Sequence, residues 1–194
     1  MKKILFALCI LAAGCSSTSI VNSWKAPDAT YTAEQYKKVL VLVLAKSEQA
    51  RKEAEDQIVS NHKALHVSYP VFTTKQLGED TLKIKNMIKD QGYDAMLVMR
   101  LITTRTKSTY VQGGINPAYQ QNFIFYAPEY YKAGEYATDM NYIIASNFYS
   151  LKDEKLLWSG VTESTNPKKV DKLISEVAKE VVYKMKEDKF IPEK

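Results

Sequence analysis

Side chains suited to covalent or metal chemistry are scarce in this sequence, which holds two cysteines and two histidines in 194 residues. Cys9 and Cys15 both fall within the first fifteen residues, so the body of the chain has neither a disulfide framework nor a thiolate metal site. His62 and His66 are four apart, as in a metal pair on one helix. No HExxH pattern surrounds them, and they read as surface or capping residues. Nucleophile-elbow, Walker A and GxGxxG patterns are all missing, and Gly113-Gly114 is too short to cradle a phosphate. Adjacent carboxylates occur at Glu79-Asp80 and Asp153-Glu154, a helix start and a turn. There acids serve the helix dipole and solvation rather than general acid–base work. No metal, no cofactor and no enzymatic activity is expected. The net charge of +5 is spread along the chain, which describes a solvated surface and not a nucleic-acid footprint. No internal repeat is present.

What the chain does have begins at its N-terminus. Lys2 and Lys3 precede an uncharged apolar run over residues 4–13. That run is short of the roughly 20 residues a spanning helix needs, but fits the signal-peptide core of about 7–15 residues. It closes on Leu11-Ala12-Ala13-Gly14-Cys15, followed by Ser16-Ser17-Thr18-Ser19. This resembles the lipobox of bacterial lipoproteins, with Leu11 one place earlier than the strict pattern. The resemblance implies cleavage before Cys15 and acylation of its thiol, palmitate included; the plain alternative is an ordinary secretory signal. Cleavage leaves residues 15–194. It removes Lys2 and Lys3, so 25 basic residues face 22 acidic ones and the net charge falls to +3. Ser16 stands where Asp would resemble an inner-membrane retention signal, which favours the outer membrane and its periplasmic face.

Residues 15–32 read as a lipidated tether with a possible edge strand around Ile20, Val21 and Trp24, the tryptophan packed in a pocket. Residues 33–190 read as one α/β domain. Residues 39–44 (VLVLVL) are an unbroken apolar run, the mark of a strand covered on both faces. Ser47 is a candidate N-cap for a helix over residues 48–65. Glu48 and Lys52, like Arg51 and Glu55, stand at the i,i+4 spacing of surface pairs. A strand follows at residues 66–72, edge-like because of Pro70. Next come a helix over residues 78–91 with Ile84, Met87 and Ile88 inward, Gly92 as its αL cap, and an apolar strand from Ala95. Residues 136–151 and 156–162 form a hairpin. Asn166-Pro167 is an N-cap with Pro at N1, opening a helix whose stripe runs through Val170, Leu173, Ile174, Val177, Val181 and Met185. The expected fold is β-α-β-α-β, then a hairpin and a C-terminal helix. It is a two- or three-layer domain with a mixed sheet of five or six strands and three main helices.

Residues 110–134 interrupt this pattern as a long tyrosine-rich loop, a kind of segment that tends to carry function. Its aromatics, Tyr110, Tyr119, Phe123, Phe125, Tyr126, Tyr130 and Tyr131, form a candidate binding surface for an envelope protein or a glycan. Arg100 interrupts an apolar strand. A buried arginine needs a carboxylate, and Glu163 or Asp139 could supply it.

Together the lipobox, Ser23-Trp24-Lys25, residues 38–44, Gly92-Tyr93-Asp94, Trp158-Ser159-Gly160 and Asn166-Pro167 resemble a family of small uncharacterised Gram-negative envelope lipoproteins. The order of elements up to the strand after Gly92-Tyr93-Asp94 is similar, more loosely, to three periplasmic α/β domains. These are the curli secretion-channel lipoprotein, the penicillin-binding-protein activator lipoprotein and the amino-terminal domain of the Tol-Pal translocation protein. Those resemblances imply an assembly or binding accessory. Two rivals stand beside it: a hydrolase built around Arg100, Glu163 and the loop, and a subunit of an oligomeric envelope channel. A channel would require alternating β-ribbons of about 9–11 residues.

Overall fold

The computed structural model describes residues 18–60, 62–79, 81–111, 114–115, 131–132 and 135–192. The elements are β1 (Thr18–Lys25), β2 (Val39–Leu44), α1 (Glu48–Val59), β3 (Leu65–Val67), α2 (Thr74–Glu79), α3 (Thr81–Asp90), β4 (Ala95–Val111), β5 (Gly114–Ile115), β6 (Tyr131–Lys132), β7 (Glu135–Ser150), β8 (Lys155–Thr165) and α4 (Val170–Glu187). Six strands form one open mixed sheet in the order β1-β8-β7-β4-β2-β3, and β5 pairs with β6 apart from it. Strands β3, β2 and β4 are mutually parallel, as β-α-β connections require. The rest of the sheet is antiparallel. The expected α/β fold is the observed one, with four helices among the described residues.

Strand β2 is central because its side chains have a hydrophobic layer on either side. Val39 and Val41 point into a core with Leu97, Met99, Ile58 of α1 and Leu173, Val177 and Val181 of α4. Leu40 and Leu42 point into a second core with Phe72, Ile84 and Ile88. The alternation of one strand thus builds two cores, each fully buried aliphatic side chain contributing about 1.5–3 kcal/mol. Ser47 caps α1 as expected, its Oγ accepting from the Ala50 N–H at 3.2 Å. Gly92 takes φ 69° after α3, and its N–H closes on the Lys89 carbonyl at 2.9 Å.

The end of the hairpin strand β8 explains the Trp158-Ser159-Gly160 triplet. Trp158 is fully buried, and its ring lies across the next residue on the same face: a Cβ on Gly160 would fall 2.2 Å from Trp158 Cη2. The indole Nε1 donates to Asp188 Oδ2 at 2.9 Å, just past α4. Burial raises the Asp188 pKa, but hydrogen bonds from Trp158, Lys184 and Ser23 outweigh it and hold this carboxyl below the usual aspartate range.

Several sequence expectations give way. Helix α1 stops at Val59, whose carbonyl accepts from His62 N–H at 3.0 Å, and the Ala64 carbonyl accepts from Val39 N–H at 2.8 Å, setting β3 beside β2. The strand expected at residues 66–72 shrinks to β3, since Ser68 turns out of the sheet to bond Glu55. The single helix expected from Gly78 is two, and it begins at Thr74, whose hydroxyl and N–H both reach Glu48 Oε2. Asn166 does not cap α4, whose N-cap is Lys169 with no side-chain bond. Asn166 instead takes φ 46° and continues the β ladder: its N–H donates to the Met140 carbonyl (2.9 Å), and its Oδ1 accepts from the Met140 N–H (2.8 Å). A hydrogen-bonding side chain that competes with helix capping is here taken by the neighbouring strand. Trp24 is half exposed instead of pocketed, and Val170 is exposed.

Candidate functional site

The expected buried ion pair at Arg100 is not formed. Arg100 is exposed. It lies on β4 opposite Ala145 of β7, while Glu163 lies on β8 opposite Ile143. An entire strand therefore separates the two, roughly 10 Å at strand spacing. Glu163 Oε1 accepts instead from Asn141 Nδ2 at 2.7 Å, and Asp139 Oδ1 from Asn166 Nδ2 at 2.7 Å. The hydrolase built on Arg100 and Glu163 loses its pairing.

The buried pair is elsewhere, at two residues whose spacing suggested a surface helix. Arg51 Nε and Glu55 Oε1 are 3.0 Å apart, with side chains 1% and 0% exposed. Glu55 also accepts from the Ser68 hydroxyl and N–H (both 2.6 Å) and from the backbone N–H groups of Val43 and Tyr69. Arg51 donates to Ser68 Oγ at 2.6 Å and to Glu48 Oε1 at 3.3 Å, and its guanidinium lies over the Phe72 ring. A closed network of this kind ties α1 to the ends of β2 and β3 and to the start of α2. Each nitrogen of the guanidinium and each carboxylate oxygen has a hydrogen-bond partner, so the pair is architectural. Among the described residues no cluster of His, Cys, Asp and Glu could hold a metal.

The surface that stands out is the ribbon of β4 and β7. The two strands pair from Ala95↔Ser150 to Val111↔Glu135 with a bulge between Leu101 and Thr103. β2 leaves β4 after Arg100, and β8 leaves β7 before Asn141. Asn166 still bonds Met140, and beyond it the ribbon stands alone. Its rungs alternate. Thr104↔Tyr142, Thr106↔Met140, Ser108↔Thr138 and Tyr110↔Tyr136 form one face without a charge, and Arg105↔Asn141 and Lys107↔Asp139 form the other. The bulge keeps the neutral face in line with Leu101 and Met99, that is, on the α1 and α4 side of the sheet. Tyr110 and Tyr136, both exposed, put their rings 5.2 Å apart at its far end.

At the foot of this face lies an open, mostly apolar groove of about 530 Å³. Its floor includes Leu101, Thr104, Met140 and Ile144, and its walls are the first turns of α1 and α4, Ala50 and Val170 among them. Apolar side chains around it are solvent-exposed, Leu44, Leu101, Met140 and Val170 in particular. Exposed apolar patches of this kind mark contact surfaces. Tyr110 belongs to the ribbon and Tyr131 to β6; Tyr119, Phe123, Phe125, Tyr126 and Tyr130, like Cys15, lie outside the described residues. His62 is exposed and His66 packs edge-on to Tyr93, with no shared ligand geometry.

No protein-family model and no curated sequence matches the chain. Solved structures do. The chain is similar to the PelC dodecamer from Paraburkholderia phytofirmans, with 11% identity over 84% of this chain and 94% of that one, TM-score 0.43. It is similar also to the lipoprotein GNA1162 from Neisseria meningitidis, with 14% identity over 77% and 98%, TM-score 0.41. A PDZ domain protein from Parabacteroides distasonis is similar at 13% identity over 88% of this chain and 37% of its own, TM-score 0.33.

Sequence reasoning missed the ribbon's length and the groove. The signal for the first was present: residues 104–108 alternate hydroxyl and basic side chains, a half-exposed strand pattern. The groove had no local signal, since its lining comes from five separate elements, β2, α1, β4, β7 and α4.

Proposed function

We propose that the chain is a lipid-anchored accessory of the cell envelope, without enzymatic activity, held at the outer membrane by acyl chains on Cys15 and binding through the ribbon and its groove. One observation carries the reading. Strand β1 begins three residues after Cys15, and Thr18 is already 4% exposed, its hydroxyl donating to Glu176 Oε2 at 2.9 Å and sharing a hydrogen bond with Ser164. Cleavage before Cys15 therefore leaves every described element whole, and the first of them after it, β1, is an edge strand of the sheet. Mass spectrometry of the N-terminal peptide from membranes tests it. A diacylglyceryl Cys15 is expected, and Cys15→Ala is expected to leave an unprocessed precursor. An unmodified cysteine, or a terminus elsewhere, overturns it.

The channel reading has one observation in its favour: the ribbon carries a neutral face and a charged face, as a barrel strand facing lipid and lumen does. The neutral face is mostly hydroxyl-bearing, and among the described residues the free rungs number fewer than the about 9–11 residues of a spanning strand. Planar-bilayer recording checks it, with steady unit conductance favouring the channel.

A further inference from the structure

We infer that the ribbon end of the domain is a second membrane contact, seated in the lipid headgroup layer of the bilayer that holds the Cys15 acyl chains. This rests on the lipid anchor proposed above and adds an orientation to it. The geometry comes from register alone. Thr18 pairs with Ser164, Ser164 with Tyr142, and Tyr142 with Thr104. The start of β1 and the foot of the free ribbon are therefore at one level of the sheet, and at one end of it. From that level β4 runs on through Arg105 to Val111, an overhang of roughly 23 Å at about 3.3 Å per residue. From the same level the chain back to Cys15 is three residues, at most about 10 Å when extended. The ribbon thus outreaches the tether. With acyl chains in the hydrocarbon and this end of the sheet turned to the bilayer, the far rungs of the ribbon reach the headgroups.

The side chains at this end suit that environment. The neutral face offers hydroxyls and the paired Tyr110 and Tyr136 rings, and tyrosine concentrates at the membrane–water boundary because its ring is apolar and its tip polar. At the foot, Leu44, Ile102, Met140 and Val170 are exposed. Beside them Lys46, Arg100, Lys168 and Lys169 are exposed, and on the ribbon's other face Arg105 and Lys107 are exposed with Asp139 opposite Lys107, a basic excess that suits anionic headgroups. Lys168 and Lys169 precede the first turn of α4, where cations oppose the helix dipole; anionic lipid would relieve that conflict. The sequence linking the two ribbon strands, residues 112–134, carries two charged residues of opposite sign, Glu129 and Lys132, and so adds no net charge.

Cysteine labelling of the full acylated protein tests this, because acylation of Cys15 leaves an introduced thiol as the reactive one. Thr106→Cys and Thr138→Cys on the neutral face, and Lys152→Cys in the β7–β8 turn at the opposite end, carry an environment-sensitive fluorophore. The protein is reconstituted in vesicles of phosphatidylethanolamine and phosphatidylglycerol containing lipids spin-labelled near the headgroup. The expected result is a blue shift and loss of emission at positions 106 and 138, with position 152 unchanged. Equal quenching at all three positions, with Cys15 shown by mass to be acylated, overturns the membrane contact and leaves the anchor standing. Unmodified Cys15 overturns both. Burial of position 106 in detergent that grows with protein concentration assigns the surface to a second copy, and also overturns it.

Discussion

From Ala95 to Met99, strand β4 runs between β2 and β7, and Ala95, Leu97 and Met99 are buried under α1 and α4. From Thr104 to Tyr110 the same strand has β7 as its sole sheet neighbour, and its side chains are exposed throughout. The first stretch is aliphatic and the second is threonine, serine and basic residues. One continuous strand thus serves as core and as projecting surface, and the change falls at the bulge after Leu101. Stability resides in the first region. The second is free to be shaped for contact, because little of the fold depends on it.

The comparison can be broken from the stable side first. Glu55→Ala leaves the Arg51 guanidinium buried without its carboxylate, and is expected to lower the unfolding free energy by about 3–5 kcal/mol in a urea titration. A loss below about 1 kcal/mol would mean that the pair behaves as a surface bridge. Gly160→Ala comes next. The added methyl meets the Trp158 ring, which is fully buried and cannot swing away, so about 3 kcal/mol of overpacking is expected, together with a changed tryptophan emission.

Asp188 sharpens the picture through pH. Its carboxyl is held below the ordinary aspartate value of about 4, with burial opposing and the Trp158, Lys184 and Ser23 hydrogen bonds prevailing. A lowered folded-state pKa means stability that is fully present above the unfolded value and lost as pH falls through the folded one. Asp188→Asn is expected to cost about 2 kcal/mol at neutral pH. It should also flatten the acid limb of a stability–pH curve below about pH 4. The smallest effect belongs to the ribbon. Tyr110→Ala with Tyr136→Ala removes one exposed ring pair, worth under about 1 kcal/mol, so thermal unfolding should hardly move. A large loss there would show that the ribbon supports the core.

Much of the fold was legible locally. The unbroken apolar run of β2, the Ser47 cap, Gly92 and the i, i+3, i+4 stripe of α4 each announce an element through a few neighbouring residues, and each was realised. The candidate site was legible only in part. Tyr110 was visible as an aromatic at the start of a long insertion, but its pairing with Tyr136 depends on a register between residues 26 apart in sequence. Arg100 misled because an arginine within an apolar run looks buried. It is exposed because β2 ends at its level and uncovers that edge.

By itself the sequence determined the α/β class and most element positions, since hydrophobic period, caps and turn residues act over a few residues. Tertiary structure alone decided which charges are inside. Arg51 and Glu55 became the buried pair because the β2, β3 and α2 ends converge on one turn of α1. It also decided that the ribbon and the start of β1 share one end of the sheet, since strand order and register are fixed by contacts between residues distant in the chain.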